Sequence, residues 1–304
     1  AAAGSGSRAG PAAAAARGAA PGAPLRLLRT LVERKTGDMA ESSPVAGLAG
    51  LLAGRKGLIV GVANKNSIAW GCARALASAG MELAFTYQGD VMRDRVVKTT
   101  QELGEVPLFD LDVTRDEQIE AVVEGVRGLW GGRLDFLLHS VAYAPSTAMS
   151  NPFLETTRGD FSTAMDISAY SLVALSRAFA PLMEGGGSVV TMSYYGSQKA
   201  VPGYNVMGVA KAALEACVRY LAVDLGPRGV RVNAVSAGAI NTLAARGVAH
   251  FRDLMKITAE RAALRRTVDS SEVGNAALFL ASELSSGVTG EVLYVDAGFN
   301  ITAG

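Results

Sequence analysis

Tyr194, Tyr204 and Lys211 have the residue types and spacing for acid–base chemistry. Residues 208–225 are rich in Ala, Leu and Val with no proline, a pattern that predicts a helix. A helix turns about 100° per residue, so seven residues bring Tyr204 to within about 20° of the face carrying Lys211. A phenol beside an ammonium ionises more easily, and it can give a proton or a hydrogen bond to an oxygen that becomes anionic. A Tyr-x6-Lys pair also arises on ordinary surface helices. The elements upstream must decide between the two readings.

Composition narrows the field first. The chain has 304 residues, of which 49% are hydrophobic, enough for a large core, and a formal net charge of +1. That balance, without a basic stripe carrying interleaved aromatics, argues against nucleic acid as a partner. Cys72 and Cys217 have no metal or redox spacing and read as small apolar residues. His139 and His250 are far apart in sequence with no second ligand near either, so no metal site is expected. No apolar run reaches the roughly 18 residues that a bilayer span requires, so no membrane segment is expected.

From Gly54 onward, short β-like runs alternate with helix-length amphipathic stretches. The β-like runs are 58–63, 82–87, 106–110, 134–140, 188–193, 230–236 and 291–295. Helical patterns fall near 67–80, 90–103, 115–129, 160–183, 204–225 and 271–282. Near-continuous apolar strands separated by helices predict a parallel sheet covered on both faces. The fold class is therefore α/β, a doubly wound Rossmann-like sheet flanked by helices in one domain over 49–304. The segment 237–268 breaks the rhythm and reads as a helical insertion at a strand's C-terminal end, where a substrate lid belongs.

The strand ends carry a candidate nucleotide site. After the first run comes Gly61-Val62-Ala63-Asn64-Lys65-Asn66-Ser67-Ile68-Ala69-Trp70-Gly71. This departs from Gly-x-Gly-x-x-Gly but keeps a glycine at the strand exit, a polar loop and a helix start at Ser67. Small residues let a pyrophosphate approach backbone N–H groups at the positive end of that helix, and Ser67 can both cap it and reach phosphate. The second run ends Tyr87-Gln88-Gly89-Asp90, with no base at 88–90 to neutralise a 2′-phosphate, which favours NADH over NADPH. Asp112 and Val113 after the third run suit an adenine edge and face; the lesser alternative for Asp112 is an ordinary helix cap before Thr114. The fourth run ends His139-Ser140-Val141-Ala142, where a ribose and nicotinamide must pass close to backbone.

With these pieces in order, the sequence resembles the short-chain dehydrogenase/reductases, and within them the NADH-dependent enoyl-[acyl-carrier-protein] reductases. The resemblance spans about residues 47–301. It rests on Ser67-Ile68-Ala69-Trp70-Gly71, Leu83-Ala84-Phe85-Thr86-Tyr87-Gln88, Tyr204-Asn205-Val206-Met207-Gly208, Arg231-Val232-Asn233-Ala234 and Gly290-Glu291-Val292 before Val295-Asp296. Carbonyl-reducing relatives place a tyrosine four residues before the lysine and a serine thirteen before that. Here those positions hold Met207 and Tyr194, and the phenol stands one turn earlier at Tyr204.

The resemblance implies reduction of the trans-2 double bond of enoyl thioesters on acyl carrier protein, with NADH, in type II fatty-acid elongation. It implies that Tyr204 contacts the thioester carbonyl, that Lys211 holds the nicotinamide ribose and that Tyr194 lies beside the substrate. Ile240, Asn241, Thr242, Leu243 and Ala244 would line the nicotinamide end of the cofactor, joining Gly61, Ser67, Ile68, Gln88, Asp112, Val113 and Val141. Ala144, Met207 and Phe251 would flank the acyl path. A homotetramer is implied, with an acidic carrier docked on bases beside the lid. The carrier patch is thinner than usual: Ala249 and Asp253 stand where lysine is common, and only Arg252 matches. Ala142, Ala239 and Asn241 also depart from the usual glycine, proline and basic residue. The rival readings are a ketone or alcohol oxidoreductase, disfavoured by the missing serine, and a non-catalytic NAD-binding sensor, disfavoured by the presence of both Tyr204 and Lys211.

Residues 1–48 are Ala/Gly/Pro-rich, with Arg8, Arg17, Arg26 and Arg29 and no acid before Glu33. Such a segment cannot bury enough surface to fold and reads as a disordered leader. It is either an organelle transit peptide, which would direct the protein to a plastid or other organelle, or upstream sequence ahead of Met39, with a cytoplasmic enzyme. The low serine content favours the second. Removing residues 1–38 should therefore change neither melting temperature nor turnover; a drop of several degrees in a thermal scan would show that the segment packs on the domain.

Overall fold

A computed structural model describes residues 48–242, 245 and 251–302, with backbone only at 251 and 252. The apolar runs form seven parallel strands: β1 (Lys56–Val60), β2 (Glu82–Tyr87), β3 (Leu108–Asp110), β4 (Phe136–His139), β5 (Gly187–Ser193), β6 (Val230–Ala237) and β7 (Val292–Val295). They lie in the order β3-β2-β1-β4-β5-β6-β7, so the direction of winding reverses between β1 and β4. In open sheets of this kind the crevice beyond that switch point receives ligands. The helices that connect the strands are α1 (Ile68–Ser78), α2 (Gly89–Thr100), α3 (Asp116–Trp130), α4 (Ser146–Ser150), α5 (Arg158–Met165), α6 (Ser171–Phe179), α7 (Asn205–Leu225), α8 (Phe251–Arg261) and α9 (Ser270–Ala281).

Alternation along each strand sends neighbouring side chains to opposite faces. Leu58, Leu137, Val189 and Val232 are buried under α3, α6 and α7, while Ile59, Phe85, Leu138, Val190 and Val235 are buried under α1 and α9. Leu48, the last residue of the expected leader, packs partly buried against this second layer; the rest of that leader lies outside the described residues.

Glycines bring α1 and α9 into backbone contact. A Cβ on Gly71 would stand 2.2 Å from the Ser270 carbonyl oxygen, and one on Gly274 would stand 2.4 Å from that of Gly71. The α9 end of this contact is fixed by a capping box: the Asp269 carboxylate accepts from the Ser271 and Glu272 N–H groups, and Glu272 accepts from the Asp269 N–H.

Two expectations need correction. The single helix expected over 160–183 is α5, a π-helical turn (Asp166–Tyr170), α6 and a 3₁₀ turn (Ala180–Leu182). The wide turn sets buried Ser168 and Ser171 against the end of β4. Ser168 Oγ accepts from the Tyr143 N–H at 2.9 Å and donates to the Tyr143 carbonyl at 3.0 Å. In addition, α4 forms within a stretch where no element was expected. The helical insertion expected over 237–268 contains α8.

Gly274→Ala should lower stability by about 1–3 kcal/mol, because the added methyl meets backbone that cannot swing aside. Gly287→Ala, where a Cβ meets nothing within 4 Å, serves as the control and should leave the melting temperature unchanged. Equal melting temperatures for the two variants would show that the α1–α9 contact can relax.

Candidate active site

The site is built where β5 ends and α7 begins. Tyr194 follows the last residue of β5, and Tyr204 is the N-cap residue of α7. Their rings meet edge to face, with centroids 4.8 Å apart. Two glycines make room for this pair. A Cβ on Gly196 would lie 2.5 Å from the Tyr204 ring, and one on Gly208 would lie 2.7 Å from the Gly196 carbonyl oxygen. Asn205, the first residue of α7, has a φ of +42°, a left-handed value that asparagine tolerates better than most residues. Its side-chain amide donates to the Met149 carbonyl at 3.2 Å and the Asn151 carbonyl at 2.8 Å, tying the head of α7 to the end of α4.

Lys211 lies two turns into α7 and is buried. Its ammonium donates to the Met192 carbonyl at 2.8 Å. Burial lowers its pKa to about 8, against the opposing influence of Glu215. Burial also holds the Tyr204 phenol well above its ordinary range, with Tyr194 adding to the shift. Tyr194 is pushed up to about 12, again mainly by burial and then by Tyr195. The expectation that the ammonium eases ionisation of the phenol is therefore corrected: desolvation dominates, and Tyr204 stands as a neutral hydrogen-bond donor.

His139, at the end of β4, is fully buried and contacts no solvent. The Ser171 hydroxyl donates to the Ile167 carbonyl, so it accepts from His139 Nε2–H at 2.8 Å, which leaves Nδ1 to accept from the Thr191 hydroxyl at 2.8 Å. Burial and then the Lys211 ammonium push the imidazole down to about 3, so the ring is neutral. Among the described residues, no group of three or more His, Cys, Asp or Glu is placed to hold a metal ion.

The nucleotide-side candidates cluster at the switch point. Gly61 has a φ of +111°, and a Cβ there would stand 2.2 Å from the Ser140 carbonyl oxygen, so only glycine lets β1 leave the sheet this close to β4. Ser67 occupies the N-cap position ahead of Ile68 but makes no side-chain cap. Its oxygen accepts instead from the Ala63 and Asn64 N–H groups, both at 3.0 Å. That corrects the capping role and leaves its O–H to donate elsewhere.

The Gln88 amide donates to Asp112 at 2.9 Å, joining the ends of β2 and β3. Asp112 does not cap α3, whose N-cap is Arg115; it accepts from the Thr114 N–H and hydroxyl at 3.0 and 2.7 Å. Burial raises this carboxyl, but the bonds from Thr114 and Gln88 and the charge of Arg115 outweigh it and hold it below the ordinary range. A glycine exit, a helix N-terminus and an ionised acid beside the second strand together fit a dinucleotide. Val113 and Val141 pack half-buried against the core layer under α3 and α6.

Of the residues expected along the acyl path, Ala144 and Tyr204 pack on buried Met149, Met207 and Ala210. Ile240 is half-buried against the core, Asn241 is exposed, and the Thr242 N–H bonds the Ile240 carbonyl at 2.8 Å. Leu243, Ala244, Arg246, Ala249 and the side chains of Phe251 and Arg252 lie outside the described residues. Spacing alone gave Gly196, Gly208, Asn205 and Ser168 no role. Glu215, four residues after Lys211 and therefore on the same helical face, was legible as an i,i+4 partner.

Such a sheet, with its glycine turn at the switch point and a Tyr–Lys pair beyond the fifth strand, defines a nucleotide-binding oxidoreductase of the short-chain dehydrogenase/reductase type. The chain belongs to the enoyl-(acyl carrier protein) reductase family, whose profile matches residues 61–300. It is 51% identical over 256 residues to enoyl-[acyl-carrier-protein] reductase [NADH] 1 of Rhizobium meliloti, covering 84% of this chain and 94% of that protein. Identity to the Rickettsia prowazekii enoyl-[acyl-carrier-protein] reductase [NADH] FabI is 47%, covering 83% and 96%. Among solved structures, the Bacillus cereus enoyl-acyl carrier protein reductase with NADP+ and indole naphthyridinone has a TM-score of 0.81 at 44% identity, covering 83% and 99%. The Anaplasma phagocytophilum reductase in complex with NAD has a TM-score of 0.80 at 43% identity, covering 83% and 96%.

Asn205→Ala should cost about 1–3 kcal/mol, since it removes two hydrogen bonds and leaves in a left-handed conformation a residue that tolerates it less well than asparagine. Turnover should fall with stability as Tyr204 loses its fixed position. Wild-type melting temperature and turnover in this variant would refute the anchoring role.

Proposed function

We propose that Tyr204 is the hydrogen-bond donor to the thioester oxygen, that Tyr194 walls the substrate beside it, and that Lys211 holds the nicotinamide ribose. The enzyme reduces the trans-2 double bond of enoyl thioesters with NADH in fatty-acid synthesis. Bound NADH supplies the hydride, which adds to the β-carbon of the substrate. As it does, negative charge develops on the thioester oxygen. Tyr204 stabilises that enolate with a neutral O–H, and the α-carbon then takes a proton. An oriented donor that acts mainly as the charge develops contributes a few kcal/mol, or about 10²–10³ in rate. The observation that carries this reading is the edge-to-face Tyr194–Tyr204 pair, with Tyr204 packed on apolar Met149, Met207 and Ala210 at the head of the helix that carries buried Lys211. An apolar wall suits an acyl chain, and a desolvated site strengthens each hydrogen bond within it.

Gly61, Ser67, Ile68, Gln88, Asp112, Val113, Val141 and residues 240–244 would hold the dinucleotide. The ionised Asp112, bonded to Gln88, disfavours a 2′-phosphate and accords with NADH as the cofactor. The carrier-bound chain would enter beside α8, where exposed Lys256 and Arg261 suit an acidic carrier. Exposed charge pairs contribute at most about 1 kcal/mol each, so docking would be weak and salt-sensitive.

We infer a homotetramer as well. Val209, Ala212, Tyr220 and Val223 recur at helical spacing on the outer face of α7, and all are exposed in the single chain, a pattern that suits burial against another copy. The cytoplasm is the proposed location, or an organelle if residues 1–38 are a transit peptide. Among the described residues, no helix is long and apolar enough to cross a membrane.

The test compares NADH oxidation with a crotonyl thioester and with an acetoacetyl thioester, in wild type and in Tyr204→Phe. Wild type should turn over the enoyl substrate far faster. Tyr204→Phe should lose about 10²-fold in kcat while binding NADH as before. Faster turnover of the ketone, or an unaltered kcat in the variant, overturns the reading.

A further inference from the structure

Lys211 is not the only buried charge on its face of α7. Glu215, one turn further on, is 5% exposed, the same as Lys211. The Ser193 hydroxyl donates to Glu215 Oε1 at 2.5 Å, while the Lys211 ammonium donates to the carbonyl of Met192 at 2.8 Å. One face of the helix thus grips two consecutive residues at the end of β5, and the next residue is Tyr194. A carboxylate this far from water is costly unless it is hydrogen-bonded and charge-compensated, so its presence needs an account. Packing alone does not supply one, since an apolar side chain of similar size would fill the same space.

We propose that Glu215 is a positioning residue of this site: it anchors the end of β5 through Ser193 and is the buried counter-charge of Lys211. The inference rests on the reading of Lys211 and Tyr194 given above. Burial drives Lys211 toward the neutral amine, and Glu215 opposes it. The other titratable groups facing the ammonium do not supply a negative charge. His139 on β4 is neutral, and Tyr194 and Tyr204 are held protonated by burial. Tyr294 on β7 faces Glu215 and is raised by burial first and then by that carboxylate. Among the elements packed on α7, α4 has no acid or base, Asp160 on α5 is half-buried, and Arg158, Asp166, Tyr170 and Arg177 are exposed.

The sign of the effect follows. With its pKa near 8, Lys211 is mostly an ammonium below that pH and loses its proton above it. Removing the Glu215 charge moves that loss to lower pH. Wild type, Glu215→Gln and Ser193→Ala should be compared as full chains, measuring NADH affinity and kcat/KM for a crotonyl thioester from pH 6 to 9.5. Glu215→Gln keeps the shape and an acceptor for Ser193. Its alkaline limb, in both NADH binding and kcat/KM, should move down by about one pH unit, so that at pH 8 it loses several-fold more activity than at pH 6.5. Ser193→Ala keeps the charge and loses the anchor; its kcat should fall several-fold with the alkaline limb unmoved.

A Glu215→Gln profile that is wild type scaled by a constant factor removes the counter-charge role. A wild-type kcat in Ser193→Ala removes the anchor, and that variant carries its own test if Glu215→Gln does not fold. Wild type that binds NADH but does not reduce the enoyl thioester would instead sink the functional reading, leaving the pH shift in NADH binding to judge Glu215 separately.

Discussion

The hydrogen bond from Lys211 to the Met192 carbonyl constrains everything around it. An ammonium moved out of water costs several kcal/mol unless its surroundings replace the hydration it loses. Here a strand-end carbonyl accepts from one of its three N–H groups, and it lies where pairing with β4 has ended, at Thr191, while pairing with β6 continues to Ser193. The neighbouring groups are compatible with one buried positive charge only if they remain neutral or negative. His139 is locked as a neutral ring between Thr191 and Ser171, and the phenols of Tyr194 and Tyr204 keep their protons. The same low-dielectric surroundings that make Lys211 costly make a neutral phenol an effective donor.

The second constraint is steric. Two aromatic rings cannot meet edge to face between a strand end and a helix start unless the chain between them is slim, and Gly196 and Gly208 provide that on the two sides. Asn205 then takes the left-handed conformation that ends the loop, and it recovers stability by bonding two carbonyls near the end of α4. Conformational strain is thus placed beside Tyr204, in a segment over-determined by its neighbours. Because Tyr204 precedes the helix, its position depends on that turn as much as on the helical spacing from Lys211.

Much of this fold was legible from apolar periodicity. Buried parallel strands read as continuous hydrophobic runs, and each of the seven expected runs overlaps a strand, with ends displaced by at most three residues. The π-helical turn after α5 was not legible, because one widened turn barely alters the apolar pattern over 160–183. Nor was the role of Ser67, since the same hydroxyl can accept from the helix or from the loop before it, and the loop conformation decides. Residue types and spacing put a phenol and an ammonium at the head of one helix. They could not predict that burial, with Tyr194 beside it, would hold that phenol above its ordinary range, because desolvation is a property of the packed interior.

The displaced tyrosine also has a packing logic. At the position four residues before Lys211, where carbonyl-reducing relatives carry the phenol, Met207 is buried against Met149, Ala210 and Ala144. A hydroxyl at that place would need a partner that this apolar cluster does not contain. Moving the phenol to the residue ahead of the helix converts the vacated place into a wall suited to a hydrocarbon chain. It also makes Tyr204 the N-cap residue of a 21-residue helix, whose unpaired N–H groups carry partial positive charge. On the proposed reading, negative charge builds on an oxygen three bonds from the carbon that receives hydride, and a phenol one turn earlier than in carbonyl-reducing relatives suits that oxygen. On the same reading, the place of Tyr204 ahead of the helix and the apolar character of Met207 answer one requirement.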